Sequence, residues 1–324
     1  MTIQRRDLLQ LAAGAVVAAP ALSRGAWADT YPSRPVRIVV PYPAGIAPDT
    51  VTRLVAQGLS EKFGQQFIVD DRPGGASNIG TEIVVRAAAD GYTLLCVTAT
   101  NTINVSLYDK LSFDLLRDIA PVSGLVQLPL AIVINPSVPA QTLPEFIAYA
   151  KANPGKINYA SVGSGATTNV AGELFKMMAD VNLVNVPYRT NYLPDLVGGQ
   201  VQASFSPILQ VVGFIRAGQL RALAVTGTSP SAALPGVPMA ADTVPGYSAY
   251  AWDAMGAPAN TPAPIIDTLN KAINAVLADP ATKAKFADLG AEAMIMTQAE
   301  FGQYMVDEVK KWGKVVQAAN IKPD

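Results

Sequence analysis

Short β-branched runs alternate with segments of helical spacing along most of this 324-residue chain. The first series predicts a strand over 36–40, a helix over 49–63, a strand over 66–70, a helix over 79–88 and a strand over 93–97. A strand that returns after a helical crossover runs parallel to its predecessor. This order therefore indicates a parallel sheet with helices on both faces.

A second α/β series begins near Pro129. The predicted strands cover 130–134, 157–162, 183–188, 202–205 and 220–226, and the helices between them cover 142–152, 170–179, 193–197 and 211–217. The two helices over 142–152 and from Thr297 to about Ala319 each open on a capping box. The stretch 230–264 is rich in turn residues, and helices over 262–277 and 280–289 and a short strand over 293–296 follow it.

These two series predict an α/β fold with two lobes, the second inserted in the first. Each lobe is expected to be a mostly parallel sheet flanked by helices, with a cleft between the lobes. Residues 29–128 and 233–324 are assigned to lobe 1, and residues 129–232 to lobe 2. We expect the chain to cross between them near 125–130 and again near 226–238.

The first 28 residues have the anatomy of an export signal. Arg5 and Arg6 precede a short apolar run that starts at Leu11, and a small-residue site ends at Ala28. The arginine pair resembles a twin-arginine signal. We therefore predict cleavage after Ala28, a periplasmic location and a monomer, and no later segment has the 18 uncharged apolar residues suited to a membrane span.

The composition excludes several classes of function. The chain has no histidine, which rules out a Ser-His-Asp triad and histidine-ligated zinc or haem. Its single cysteine, Cys96, can form neither an internal disulfide nor a cysteine zinc cluster. With a net charge of −1 and no long basic run, the chain lacks the footprint of a nucleic-acid-binding protein. No metal, no cofactor and no catalysis are expected.

Small and hydroxyl residues follow four of the predicted strands, each just before a helix. These loops cover 41–50, 72–78, 163–169 and 189–192. Ligands of open parallel sheets bind beyond such strand ends, and helix N-termini favour anions. For any single loop, ordinary turns and helix caps are the favoured explanation. Four such loops on two lobes together predict a cleft that holds a small carboxylate.

The sequence also resembles a known family along nearly the whole mature chain. The matching stretches are Tyr31–Pro43, Asp71–Gly75, Asn78–Gly80, Ala89–Leu95, Asn153–Ser161, Ala171–Phe175, Val186–Tyr188, Gly198–Val201, Leu220–Gly227, Ala257–Pro262, Lys311–Val316 and Ala319–Pro323. They look like the tripartite tricarboxylate transporter substrate-binding proteins, the Bug family. The resemblance implies a two-lobed periplasmic binding protein of the Venus-flytrap type that closes on a small carboxylate. It further implies delivery to a permease of one large and one small membrane subunit.

The resemblance also implies a set of ligand-binding residues on the loops after the strands. They are Tyr42, Ala44, Gly45, Ile46, Asp49, Ser77, Asn78, Thr98, Thr100, Ser161, Gly163, Gly165, Ala166, Thr167, Thr168, Tyr188 and Ser206. For Asp49, a helix cap and a support of the ligand loop are both open interpretations.

This chain departs from the family pattern at the predicted cleft. Ile46 replaces a glycine, Asn169 a frequent histidine and Ser206 a frequent acid, and the stretch 189–196 is about two residues shorter than usual. We take these changes as a hypothesis that the ligand has an apolar or aromatic body beside its carboxylates.

Two other functions stay open at this point. A sensor that presents its ligand to a membrane kinase would be distinguished by a pull-down. A periplasmic organic-acid enzyme would alter its ligand, and only an Asp or Lys base would be left to it.

Overall fold

The computed structural model describes residues 31–188 and 191–323, so the predicted export signal lies outside the described residues. The strands are β1 Val36–Val40, β2 Phe67–Asp71, β3 Thr93–Thr98, β4 Ile119–Ile134, β5 Ile157–Ser161, β6 Leu183–Pro187, β7 Ala203–Pro207, β8 Arg221–Val225, β9 Tyr250–Pro258 and β10 Glu292–Ala293. The helices are α1 Ala47–Phe63, α2 Asn78–Val85, α3 Ala99–Leu107, α4 Leu115–Asp118, α5 Leu143–Ala152, α6 Thr167–Ala179, α7 Leu193–Val197, α8 Ile208–Arg216, α9 Ala263–Ala278, α10 Pro280–Asp288 and α11 Gln298–Ala318, with a 3₁₀ turn at Ala240–Asp242.

The strands form two sheets that share β4. The first sheet has the order β2-β1-β3-β9-β4, with β10 also paired to β4. In the second sheet the order is β4-β7-β5-β6, and β8 pairs with β4 as well. Residues 119–129 of β4 pair with β9, whereas residues 130–134 pair with β7 and β8. One continuous strand therefore runs from the first sheet into the second, at the place where the first crossing was predicted.

Most strands of each sheet run in one direction, as expected: β1, β2, β3 and β4 in the first sheet, and β5, β6, β7 and β8 in the second. The pairs β1–β2, β1–β3, β5–β6 and β5–β7 are parallel. The pairs that involve β4 or β9 are antiparallel. The long antiparallel strands are β9 in the first sheet and β4 in the second. Neither reaches the sheet in which it is antiparallel through a helical crossover from that sheet, so the rule for βαβ units does not fix its direction there.

Three elements were missed by the sequence analysis. Strand β9 lies inside the stretch that was predicted as turns, and α3 and the short α4 lie where no helix was predicted. The predicted short strand over 293–296 is present, but it pairs only at Glu292 and Ala293.

Local sequence signals explain where several helices begin and end. Helix α1 has Pro48 in its first turn and ends on Gly64, which adopts a left-handed φ of 67°. The Thr297 box that opens α11 is confirmed, since Thr297 and Glu300 each accept the other's backbone N–H. At α5, Thr142 accepts from the N–H of Glu145, but Glu145 accepts from Gln141 instead of closing the box.

Each sheet has its own apolar core. Val55, Leu94 and Ile273 belong to a buried cluster on the first sheet, and Phe146 and Phe175 belong to one on the second. Val244 and Tyr247 pack in the second cluster, beyond the predicted return to lobe 1. This packing favours a later return, near the start of β9. In the part of the chain that the structure describes, no helix is long and apolar enough to cross a membrane.

Candidate functional site

A cavity of about 330 Å³ lies between the loops of the two sheets. The loops after β1 and β2 and the two ends of α3 border it from the first sheet, and the loop after β5 borders it from the second. Its lining consists of Pro41, Tyr42, Pro43, Pro73, Gly74, Ala76, Ser77, Thr100, Leu107, Tyr108, Val162, Gly163, Ser164, Gly165 and Ala166. Six predicted ligand-binding residues therefore meet here: Tyr42, Ser77, Thr100, Gly163, Gly165 and Ala166.

Tyr42 ties the loop after β1 to the start of α3. Its hydroxyl group donates to Thr100 Oγ1 at 2.8 Å and lies 3.5 Å from Thr98 Oγ1. Thr98 is the last residue of β3, and its N–H donates to Asn101 Oδ1 at 2.8 Å, which holds the first turn of α3. This arrangement fixes the hydroxyl groups of Tyr42 and Thr100 at the floor of the cavity, with Thr98 behind them.

Asp49 shapes the loop between β1 and α1 from behind. Its side chain is buried, and Oδ2 accepts the N–H of Gly45 at 2.7 Å. Arg53 pairs with Asp49 and, at 2.8 Å, with Asp71 at the end of β2. Burial and the nearby Asp49 charge raise the pKa of the Asp71 carboxyl. Asp49 therefore lies in the first turn of α1 without capping it, and its hydrogen bond holds the loop before the helix.

The loop between β2 and α2 turns sharply into the cavity. Ala76 and Ser77 both have positive φ, 49° and 75°. Asn104 of α3 supports this turn, because its Nδ2 donates to the carbonyl oxygen of Ala76 at 2.6 Å and to Asn78 Oδ1 at 3.0 Å. Asn78 thus contributes to the support of the loop and is absent from the cavity lining.

The loop after β5 supplies the opposite wall. Gly163 adopts a φ of 99°, and Thr168 Oγ1 accepts the N–H of Val162 at 3.1 Å. Helix α6 begins at Thr167 with no side-chain cap from Ala166. Thr167 and Thr168 are buried in its first turn and lie just behind the lining.

The cavity favours an anion although no described lining residue is charged. The lining contains Ser77 and Ala166, which directly precede α2 and α6, and Thr100 in the first turn of α3. Helix N-termini expose N–H groups and carry a partial positive charge. Three of them at one cavity can hold a carboxylate without a buried cation.

Other predicted site residues lie outside the lining. Ala44, Gly45 and Ile46 are exposed on the loop after β1. Ser161 donates to Asn185 Oδ1, and Tyr188 donates to Asp195 Oδ2 at 2.7 Å, where burial raises the pKa of Tyr188 to about 12. Ser206 is fully buried and shares a hydrogen bond of 2.7 Å with Tyr192.

The sequence analysis missed part of the lining. Leu107 and Tyr108 lie at the end of α3, a helix that was not predicted. Val162 and Ser164 flank Gly163, which was predicted as a ligand-binding residue. The prolines at 41, 43 and 73 lie in loops that were predicted to border the cleft, but they were not named as ligand-binding residues. Within the described residues, no group of three acidic or thiol side chains could hold a metal ion.

Two sheets joined by a shared strand, with a cleft lined from both, are the architecture of a periplasmic solute-binding protein, and solved relatives carry that description. The family model described as tripartite tricarboxylate transporter family receptor matches residues 51–321, and the chain belongs to this family. Members of the family are periplasmic binding proteins, so the chain is a receptor and not an enzyme.

Three relatives illustrate the match. Protein BugT of Bordetella pertussis is 34% identical over 314 residues, which cover 95% of this chain and 96% of the relative. The solved structure of R. palustris Rpa4515 with adipate is 32% identical with a TM-score of 0.79, over 91% of this chain and 100% of that chain. MatC (Rpa3494) from Rhodopseudomonas palustris with bound malate is 28% identical with a TM-score of 0.75, over 88% of this chain and 100% of that chain.

Proposed function

We propose that this receptor binds a small carboxylate in the cleft and delivers it to a permease with one large and one small membrane subunit. The observation that carries the proposal is the cavity lining. Three helix N-termini surround a space of about 330 Å³, and none of the described lining residues is charged. Such a site stabilises a negative charge through N–H groups and hydroxyl groups.

Known relatives support a carboxylate as the ligand. Rpa4515 was solved with adipate and MatC with malate. Both ligands are dicarboxylates, and both proteins align with almost the whole described chain. We extend their ligand class to this receptor as di- or tricarboxylates or aromatic carboxylates.

The walls of the cavity suit a ligand with an apolar body. Pro41, Pro43 and Leu107 contribute apolar surface from the first sheet, and Val162, which is 46% exposed, contributes it from the second. Apolar walls stabilise a hydrocarbon body through burial of its surface. The hydroxyl groups of Tyr42, Ser77 and Thr100 would then bind the carboxylate end.

The predicted site residues divide into two roles in this proposal. Those in the lining contact the ligand directly. Asp49, Asn78, Thr98 and Thr168 act from behind by holding the loops, as their hydrogen bonds indicate. Ala44, Gly45, Ile46, Ser161, Thr167, Tyr188 and Ser206 contact a ligand only if the loops move.

The lobes move as units in this proposal, with β4 and the segment before β9 as the hinge. Lobe 1 is built on the first sheet and lobe 2 on the second, with the return to lobe 1 near the start of β9 and not at the predicted residue 233. Hinge closure around a ligand is a common motion of two-lobed receptors.

A thermal-shift screen of residues 29–324 tests the proposal. The panel contains aliphatic di- and tricarboxylates, aromatic mono- and dicarboxylates, and amino acids as a control class. A ligand that binds only the folded protein raises its melting temperature. A rise with one carboxylate class alone supports the proposal, and a rise with amino acids alone contradicts it.

We also propose that the chain reaches the periplasm through the twin-arginine route and works there as a monomer. The basis is the Arg5-Arg6 pair and the site at Ala28. Replacement of both arginines by lysine should leave the uncut protein in the cytoplasm. Mass spectrometry of the exported protein should find Asp29 at its N-terminus, and light scattering should give the mass of one chain.

A further inference from the structure

The side chain of Asn104 has one polar atom that its surroundings leave unused. Asn104 is 1% exposed, and its Nδ2 is satisfied by Ala76 and Asn78. Its Oδ1 is buried and accepts no hydrogen bond within the described part of the chain. A buried acceptor without a donor costs stability, so native proteins keep few of them.

Gly165, on the loop after β5, lies directly opposite this oxygen. A Cβ atom built on Gly165 would lie 3.2 Å from Asn104 Oδ1 and 3.1 Å from Leu107 Cδ2. Asn104 and Leu107 are three residues apart on α3 and therefore share one face of that helix. The loop of the second sheet thus approaches α3 of the first sheet so closely that a Cβ atom at Gly165 would require its neighbours to shift by a few tenths of an ångström.

The backbone conformation of Gly165 does not itself require glycine. Its φ lies outside the left-handed region, unlike that of Gly163. The reason for a glycine here is therefore the close approach to α3, and the approach is made across the cavity that both loops line.

We propose that Asn104 is a positioning residue for ligand capture: its Oδ1 accepts a main-chain N–H of the loop 163–166 when the lobes close, and Gly165 allows that approach. The inference rests on the proposed function and assigns a role in closure to two residues on opposite walls. The amide nitrogen of Asn104 would donate to the loop at Ala76, and its oxygen would accept from the loop 163–166.

Two variants separate this role from a merely structural one. Asn104→Ala removes the acceptor but also loosens the Ala76 loop. Gly165→Ala changes only the opposite wall, by adding a Cβ at the contact. If the two residues act on each other, the double variant should lose less affinity than the sum of the single losses, because Asn104→Ala also removes part of the obstruction. Independent structural effects would add.

Gly213→Ala is the matched control, since a Cβ there meets nothing within 4 Å.

The probes are adipate, malate and benzoate, with affinity measured by calorimetry and closure by small-angle X-ray scattering. We expect each single variant to bind the probe that wild type prefers about tenfold more weakly. We also expect each single variant to stay more extended with the probe present, with the melting temperature of unliganded Gly165→Ala unchanged. If wild type binds a probe and both single variants bind it with unchanged affinity, the role of Asn104 is overturned. It is also overturned if the two affinity losses add in the double variant. Either result leaves the proposed function intact. Failure of wild type to bind any of the three carboxylates overturns both.

Discussion

Glu308 on α11 accepts the indole N–H of Trp252 on β9 at 3.0 Å. The same carboxylate oxygen accepts the indole N–H of Trp312 at 2.7 Å, and Lys311 pairs with the other oxygen at 3.2 Å. Both indoles are almost completely buried. One carboxylate therefore fastens the C-terminal helix to a strand at the middle of the first sheet.

Glu308→Ala should destabilise the protein by about 2–4 kcal/mol, because it leaves two buried indole N–H groups without an acceptor. Urea unfolding followed by tryptophan fluorescence measures the change. Trp27 lies in the predicted export signal, so Trp252 and Trp312 alone give the signal in residues 29–324. Asp307→Asn, on the exposed side of the same helix, should change the free energy of unfolding by less than about 0.5 kcal/mol. Equal losses of stability in the two variants would contradict the role of Glu308 as the acceptor for both indoles.

Asp253 should make stability depend on pH. Burial raises the pKa of this carboxyl to about 7, and within the described residues its Oδ2 accepts no hydrogen bond. The folded state therefore keeps a proton that the unfolded state releases near pH ~4. The contribution of this group to the free energy of unfolding falls as pH rises from about 4 to about 7 and is then constant.

The variant Asp253→Asn isolates that effect. Relative to wild type, it should gain on the order of 2 kcal/mol of stability between pH ~5 and pH ~8, as the pKa shift implies. Denaturant unfolding of both proteins at the two pH values gives the comparison. Parallel stability profiles for the two proteins would show that the carboxyl does not titrate in this range.

Asp49→Ala should weaken ligand binding by releasing the loop after β1. The N–H of Gly45 loses its acceptor, and Arg53 keeps only Asp71. We expect about tenfold weaker binding of the carboxylate that stabilises wild type, since a loop hydrogen bond to a charged group contributes about 1.5–3 kcal/mol. Asp49→Asn retains an acceptor for Gly45 and should recover most of the affinity.

Asp70→Ala is the control for Asp49. Asp70 pairs with Arg37 and Arg72 at the end of the same strand as Asp71, but it lies outside the cavity lining. This variant should lower stability without a change in affinity. A loss of affinity as large as that of Asp49→Ala would mean that the ion pairs act through the stability of the sheet.

Tyr42→Phe tests the hydroxyl group at the cavity floor. The change removes the hydrogen bond to Thr100 and should weaken binding of the preferred carboxylate by about three- to tenfold, the worth of one hydrogen bond. Tyr247→Phe is matched to it, because the Tyr247 hydroxyl group donates to Ala171 at 3.0 Å in the core of the second sheet. Calorimetry should find reduced affinity only for Tyr42→Phe, and thermal unfolding should find the larger loss of stability for Tyr247→Phe.

The alternation of strands and helices predicted most of the architecture, but β9 was missed for a physical reason. Its sequence, Tyr250–Pro258, contains an aspartate, a glycine and a proline, which are depleted in strands. Its place between β3 and β4 depends on pairing with residues that are more than 100 positions away. No local pattern carries that information.

The sequence predicted only part of the site, again because local sequence signals were weak or absent. Helix α3 contains two Thr, two Asn, one Ile and one Val, which are weak helix formers, so Leu107 at its end and Tyr108 just after it were not expected at the cavity. The loops after strands were found because their small and hydroxyl residues mark the ends of β1, β2 and β5. Ser206 was placed at the cleft by resemblance, whereas the structure buries it beside Tyr192.

The position of β9 also imposes an order on folding. In the first sheet it lies between β3 and β4, both of which precede it in the chain by at least 100 residues. All five strands of the second sheet are complete by Val225. During synthesis the second sheet can therefore assemble while the first still has a gap at its centre, and the first sheet closes only after residue 258 has emerged.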